Sequence, residues 1–471
     1  MTNCSRIPDA LPSPHESYDA KHFVGRDQEI KKINNLIEAG RQNAPILRPI
    51  IHVWGPPGIG KSWLLFHLEH KWNCHPDSQA GSTPIQGDVF VTRIELSDLK
   101  TVIETLAKRL CSVSSDPGSN PKAVSLGGLH SQTQQCVARA KAIAAGSILI
   151  FLFDGAEKLP TDDFLRLEEE FISPLVCTER VIFIVASRKE LTLWQEFEVR
   201  RRLEIWELQA FDRETTRKQL ARYRDASRVL DEIYSYTKGL PHANQLFAAA
   251  LEEGCLSDER KPAYLSQVEA ELLQDIAENE WEILRVLSTL RKFNVESTRC
   301  ILGEFIKDRG FSAISDGECR SLLANLEQSR FVIWDKRQLG YIISPTARKI
   351  LQSRLWTAKP DRHTRLHRYA QTMIEERLKR YQGEEVRLFP EMLYHCVQQH
   401  HNDEPALGTD LDELVKIWLT PTHITAVELD ELLNVLEEDR ELGTDLGANL
   451  YQQLIVQIEN LKDLQLKEML Q

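Results

Sequence analysis

The chain has 471 residues, 42% of them hydrophobic and 27% charged, with a formal net charge of -12. That length and apolar content provide for several domains with their own cores and exclude a disordered chain. The acidity is local: residues 402–471 carry 16 Asp/Glu against 4 Lys/Arg, while residues 1–401 hold 54 of each sign, which excludes a general basic surface for nucleic acid.

In chain order, residues 1–22 contain Pro8, Pro12 and Pro14 with few apolar anchors and read as a mobile leader. They hold no apolar signal region. Phe23-Val24-Gly25-Arg26 then opens DQEIKKINNLIEAG, where Ile30, Ile33, Leu36 and Ile37 recur at helical spacing. The next stretch, IIHVWGPPGIGKS, is a β-type run, Ile50 to Trp54, that breaks into a glycine-rich turn. Gly55, Gly60, Lys61 and Ser62 satisfy G-x-x-x-x-G-K-[ST], with helix-type Trp63 to Lys71 behind them. Such a turn faces backbone N–H groups inward around phosphates, aided by the positive end of the helix dipole. Pro56 and Pro57 lack N–H donors and suit its front, leaving Gly58 to Ser62 to donate. Lys61 would reach the β- and γ-phosphates, Ile59 and Trp63 belong to the same contacting stretch, and the Ser62 hydroxyl would ligate Mg²⁺.

Asp88 to Leu96 reads as a strand, residues 112–128 as a turn-rich surface loop, and Leu129 to Ala145 as a helix. SILIFLFD, Ser147 to Asp154, is an apolar run ending in a carboxylate, as expected of a central parallel strand; its length is far below a membrane span. Asp154 is either a turn residue or, beside a phosphate loop, the Walker B acid serving Mg²⁺. Glu157 is either a solvated acid at a helix start or a group that orients attacking water. Val181 to Ser187 is another buried strand and delivers Arg188; Arg202 to Leu208 completes five strands. Alternating strands and helices imply a doubly wound parallel sheet with its ligand at the carboxyl ends.

From Phe211 helices take over, broken by Gly239-Leu240-Pro241. Residues 276–356 read helix, helix, helix, β-hairpin around Arg337 to Gly340, and a closing helix, which is the winged-helix pattern. Their balance of 13 Lys/Arg to 10 Asp/Glu is weaker than a DNA-reading surface requires. Residues 357–471 are helical and acidic, with leucine-rich amphipathic stretches at Val427 to Leu442 and Leu450 to Leu470. His395, Cys396, His400 and His401 invite a metal reading, but the spacing of His395 and His400 does not put them on one helical face. The nine cysteines form no CxxC pair and read as reduced thiols.

Together FVGRDQEI, the phosphate loop and KGLPHANQL resemble the STAND signal-transduction NTPases, the AAA+-related class that includes the NB-ARC and NACHT groups. The resemblance covers residues 23–356. It implies an α/β P-loop NTPase domain with a doubly wound parallel sheet, followed by a helical lid, a winged-helix domain and an all-α C-terminal region. The divisions are a flexible leader at 1–22, the nucleotide-binding domain at 23–210, the lid at 211–275, the winged helix at 276–356 and the arm at 357–471. Phe23 and Val24 are then expected on adenine, Arg26 near the nucleotide, Pro241 against the base, Glu157 at the acidic position of a D-x-x-E pattern, and Arg188 as a γ-phosphate sensor. Asp154 and Ser62 are the implied Mg²⁺ residues. Ser344 stands where NB-ARC proteins place a histidine that holds ADP. The implied activity is a cytoplasmic ATP/ADP-binding switch, in defence signalling or regulation, that oligomerises on ATP binding, hydrolyses slowly, and meets a protein partner through its helical tail. The alternative is an initiator-type AAA+ ATPase that binds DNA through its winged helix; that group places an acid directly after the Walker B Asp, where this chain has Gly155.

Overall fold

The five β-type runs of the first half become strands β1 (Ile50–Trp54), β2 (Val89–Glu95), β3 (Ile148–Asp154), β4 (Val181–Ser187) and β5 (Leu203–Glu207). All neighbours pair in parallel, in the order β2-β3-β4-β1-β5. The computed structural model describes residues 19–73, 88–113, 128–188, 190–223, 228–252, 261–274, 276–307, 311, 314–329, 331–335, 339–381, 383–400 and 404–469. Residues 1–18 of the expected leader, 114–127 of the expected loop, and His401 lie outside them. The chain divides into two units, Met1–Arg260 and Lys261–Gln471.

Register decides which residues share the functional edge. Trp54 pairs with Ser187 and Asp154 with Ala186, so β1, β3 and β4 end level and the residues that follow each strand emerge side by side. Every residue of β4 is buried, as are the first six of β3, because helices cover both faces of a parallel sheet. Phe151, Phe153, Phe171 and Phe183 pack ring against ring, and helices α3 (Leu99–Val113) and α4 (Leu129–Ala144) close over them through Leu106, Leu110, Cys136 and Ala140. The two earlier helices are α1 (Asp27–Arg41) and α2 (Lys61–Asn73), the latter starting at Lys61 and not at Trp63. Helix α5 (Thr161–Leu167) follows β3.

Beyond β5 the first unit ends in α6 (Arg213–Leu220), α7 (Leu230–Thr237) and α8 (Pro241–Glu252). Asn244 joins them: its amide donates to Gln219 Oε1 at 2.8 Å, and its carbonyl oxygen accepts from Thr237 at 2.5 Å. Buried polar groups of this kind are tolerated only when paired.

The second unit begins with α9 (Lys261–Leu272), which packs on α13 (Pro345–Ala358); the sequence-based division had counted it with the lid. Helices α10 (Glu278–Leu287), α11 (Val295–Phe305) and α12 (Asp316–Gln328) precede an antiparallel hairpin, β6 (Val332–Asp335) and β7 (Gly340–Ile343). Phe293 bridges Tyr341 and gives the hairpin a third strand position, completing the winged-helix order. Ser344 caps α13 by accepting from Ala347 N at 3.5 Å, with Pro345 behind it, the usual preference of a helix start. Helices α14 (Pro360–Arg380), α15 (Glu385–Gln399), α16 (Glu404–Trp418), α17 (Ala426–Glu438) and α18 (Arg440–Met469, bent at Gly447) complete it. Cys396, His400 and Asp410 approach one another within 4.8 Å there, whereas His395 pairs with His367 at 2.9 Å. No disulfide joins any of the six cysteines among the described residues.

Gly239 sets the break between α7 and α8. Its φ is +77°, and a Cβ would lie 1.9 Å from the Phe211 carbonyl oxygen, while Phe211 N donates to the Gly239 carbonyl at 2.9 Å. Gly239→Ala is expected to destabilise the first unit by more than about 2 kcal/mol, read by chemical denaturation. Gly146→Ala, where a Cβ meets nothing within 4 Å, is the control, and equal stability of the two variants would refute the steric account.

Candidate functional site

The turn after β1 places its glycines at φ +156° (Gly55), +77° (Gly58) and +97° (Gly60). Its carbonyls are turned to donors: Gly55 O and Pro56 O accept from Lys61 Nζ at 2.6 and 3.0 Å, Gly58 O from His242 N at 3.1 Å, and Ile59 O from Arg26 Nη2 at 2.7 Å. The N–H groups of Gly58 and Gly60 donate to nothing among the described residues, and a Cβ on Gly60 would face open space for 4 Å. Two amides without an acceptor, an open approach at Gly60 and a helix start are the ingredients of an anion cradle. The residues therefore fit a polyphosphate.

The charged groups gather where register predicts. Ser62 donates to Asp154 Oδ1 at 3.2 Å, and Asp154 Oδ2 lies 3.7 Å from Arg93 Nη1. Burial raises the Asp154 carboxyl above the usual range. Ser62 and Asp154 are thus brought within one hydrogen bond, the separation at which a hydrated divalent cation would engage both. Glu157 accepts from the Arg188 backbone N at 3.0 Å and its other oxygen lies 3.2 Å from Arg188 Nε. Glu157 is thus not a solvated acid. Burial lowers the Lys61 ammonium to about 8, and Glu157, Arg188, Asp154 and Arg26 all act on its charge.

Arg26 adopts φ +64° at the start of α1. Its guanidinium lies 5.0 Å from the Phe211 ring centre, bonds the carbonyls of Ile59 and Gln209, and is lowered to about 10 by burial. It grips the back of the turn. Phe23 does not stand free for a base; it stacks on His67 of α2 with ring centres 4.0 Å apart, and Val24 beside it is half-buried. Ile59 is buried, its amide directed to Pro56 O at 3.3 Å; Trp63 is half-buried in the first turn of α2. The Pro241 carbonyl accepts from Gln219 at 2.8 Å, and the next amide, His242, is the one bonded to the turn.

Arg93, His67 and His242 were missed by sequence reasoning. Arg93 carried a signal, a charge inside the strand run DVFVTRIEL; it spans Glu69 at 3.1 Å and lies over the Phe66 ring. His242 carried none, because its contribution is a backbone N–H.

A five-stranded parallel sheet, a glycine turn with Lys-Ser at a helix start, and an acid at the end of the adjoining strand define a P-loop NTPase fold. Residues 22–170 match the model of the AAA ATPase domain. No curated protein matches the chain. Among solved structures, it is similar to the Aeropyrum pernix ORC1 protein in complex with DNA, at 12% identity over 76% of this chain and 96% of that one, TM-score 0.36. The Thermotoga maritima RuvB Holliday junction branch migration motor follows at 14% identity, 70% and 95% coverage, TM-score 0.34. Cdc6p from Pyrobaculum aerophilum shows 14% identity, 76% and 97% coverage, TM-score 0.33.

Because the Lys61 value falls from an ordinary 10.5 to about 8, the folded chain binds fewer protons than the unfolded one between those pH values, and stability from this group rises with pH across that window. Below pH 8 the native chain carries the full cost of the buried charge. Lys61→Met is expected to stabilise the chain at pH 7 and to lose that gain by pH 10, measured by thermal melting. A gain that does not vary with pH would contradict the assignment.

Proposed function

We propose that this protein is an ATP/ADP-binding switch of the STAND type, whose domain arrangement and self-association respond to the nucleotide and whose slow hydrolysis resets it. The observation that carries the reading is the hydrogen bond from His242, at the start of α8, to Gly58 of the phosphate loop. It ties a helical lid to the peptide unit beside the anion cradle, so a change in that loop is felt by the lid without an intermediary. A ligand shifts such an arrangement only through differential contact.

The groups proposed to hold nucleotide are Gly55, Gly58, Gly60, Lys61, Ser62 and Trp63 on the phosphates, with Val24, Arg26 and Pro241 around the base; Ile59, its amide on Pro56 O, shapes the turn, and Phe23 would reach the base only by leaving the His67 ring. Ser62 and Asp154 would hold Mg²⁺, which supplies charge neutralisation between phosphates. Lys61 and Arg188 do the sensing. Lys61 sits on two loop carbonyls and Arg188 on Glu157, so each must exchange an internal partner for a terminal phosphate. That exchange frees Glu157, the candidate to orient water. Ser344, engaged in capping α13, is not offered as an ADP lock. The C-terminal helical region, residues 357–471, is the proposed meeting place for a protein partner, with Val427 and Leu464 exposed.

The initiator-type reading is weakened at Gly155. Its φ of +77° and the Lys158 side chain 3.2 Å from an added Cβ disfavour the acid that group carries there.

Light scattering of the full chain with ADP and with a non-hydrolysable ATP analogue tests the reading. A larger assembly with the analogue is expected, lost in Lys61→Ala together with bound nucleotide. In Arg188→Ala, nucleotide binding should persist while the ADP–ATP difference disappears. An unchanged mass together with salt-dependent duplex DNA binding would favour the initiator; no nucleotide binding would sink both.

A further inference from the structure

The second unit contains a cavity of about 380 Å³ between the start of α11, the first residue of β7, and helices α14 and α15. Its buried wall is apolar, with Leu290, Phe293, Ala370 and Leu388, except for one ring, His395. Its exposed edge is charged, six Lys/Arg to three Glu. Volume and lining of this kind are those of small-molecule sites.

The hydrogen-bond chain behind His395 fixes what that ring presents. Ser288 donates to Arg285 O at 2.7 Å, so its oxygen accepts from Gln352 Nε2, also at 2.7 Å. This turns Gln352 Oε1 toward His367 Nε2 at 3.0 Å, and the ring nitrogen must donate. Burial, with Arg291 and Arg348 nearby, keeps His395 neutral; with His367, equally buried, taken as neutral, His367 Nδ1 has no proton and accepts from His395 Nδ1 at 2.9 Å. His395 Nε2 is therefore a lone-pair acceptor. Among the described residues nothing donates to it.

At the edge, the arginines are occupied: Arg291 by Glu391 at 3.0 Å and Asp439 at 2.5 Å, Arg377 by Glu384 at 2.5 Å, and Arg299 by Asp316 at 3.4 Å. Lys292 makes no hydrogen bond or ion pair among the described residues. Its stem is pinned against Gly340, where a Cβ would lie 2.6 Å from Lys292 Cγ. A half-buried ammonium, an apolar wall and an unanswered acceptor thus line one space. Two polar groups of opposite demand select a ligand more sharply than area does.

We propose that this cavity binds a small organic acid with an apolar body and a hydroxyl or N–H donor, its carboxylate at Lys292, its body against Phe293 and Leu388, and its donor at His395 Nε2. The inference does not rest on the nucleotide reading, and it provides the second unit with an input of its own.

Calorimetry on the full chain with 3-(4-hydroxyphenyl)propionate, 3-phenylpropionate and tyramine tests it. The hydroxylated acid is expected to bind at one saturable site, up to about tenfold tighter than the acid without the hydroxyl, and tyramine not at all. Lys292→Gln should weaken both acids, and Met373→Trp, which fills the cavity, should abolish binding with the chain still folded by circular dichroism. Cys300 also lines the cavity, so peptide-mapped thiol labelling of the native chain should slow at Cys300 in the presence of the hydroxylated acid. No saturable binding of either acid up to ~10 mM, equal binding of tyramine, or unprotected Cys300 would overturn the proposal.

Discussion

A peptide unit cannot turn its N–H toward a ligand without turning its carbonyl away, and a carbonyl turned into the protein must find a donor. That constraint governs the first unit. In the glycine turn after β1 the Ile59–Gly60 unit obeys it, its carbonyl answered by the Arg26 guanidinium and its N–H left without an acceptor among the described residues, while the remaining turn carbonyls are answered by Lys61 and by the amide of His242. Two of those donors come from parts of the chain remote in sequence: the segment before α1 and the start of α8. The cradle is thus held from behind by the elements around it.

The same economy governs the charges. Lys61, Asp154, Glu157 and Arg188 meet at the carboxyl edge of the sheet because β1, β3 and β4 end level, and Arg26 joins them from the segment before α1. Low dielectric makes any unpaired member costly, so each cation has an internal acceptor: loop carbonyls for Lys61 and Arg26, and Glu157 for Arg188. A ligand entering this cluster competes with contacts already made, and its effect depends on which contact it displaces.

Much of this was legible in the sequence. β3 and β4 announced themselves as apolar runs. GPPGIGKS carried its turn, because glycines spaced to reach positive φ and a lysine at a helix start lie between a β-type and a helix-type run. Gly239-Leu240-Pro241 marked the break before α8. What escaped has a physical reason in each case. The stacking of Phe23 on His67 depends on side-chain direction, which spacing does not reveal. The His242 bond uses a backbone group that every non-proline residue owns. Ser344 drew attention for the histidine that stands there in the family the sequence resembles, while its own neighbours, Pro345 and Ala347, spelled a helix cap. The fate of α9 turned on packing against α13, more than seventy positions further on.

The second unit gives a different meaning to the charge imbalance. Asp439 and Glu441, from the acidic end of the chain, reach back to Arg291 and Arg348, and Arg348 is almost wholly buried, also bonding the Tyr394 hydroxyl at 2.6 Å. The tail is therefore partly a built-in counter-ion for the winged-helix segment. A cut at residue 356 would leave two desolvated guanidinium groups without their carboxylates, and each fragment would inherit a defect. The border between winged helix and arm is a change of pattern along the chain, and not a seam along which the protein comes apart.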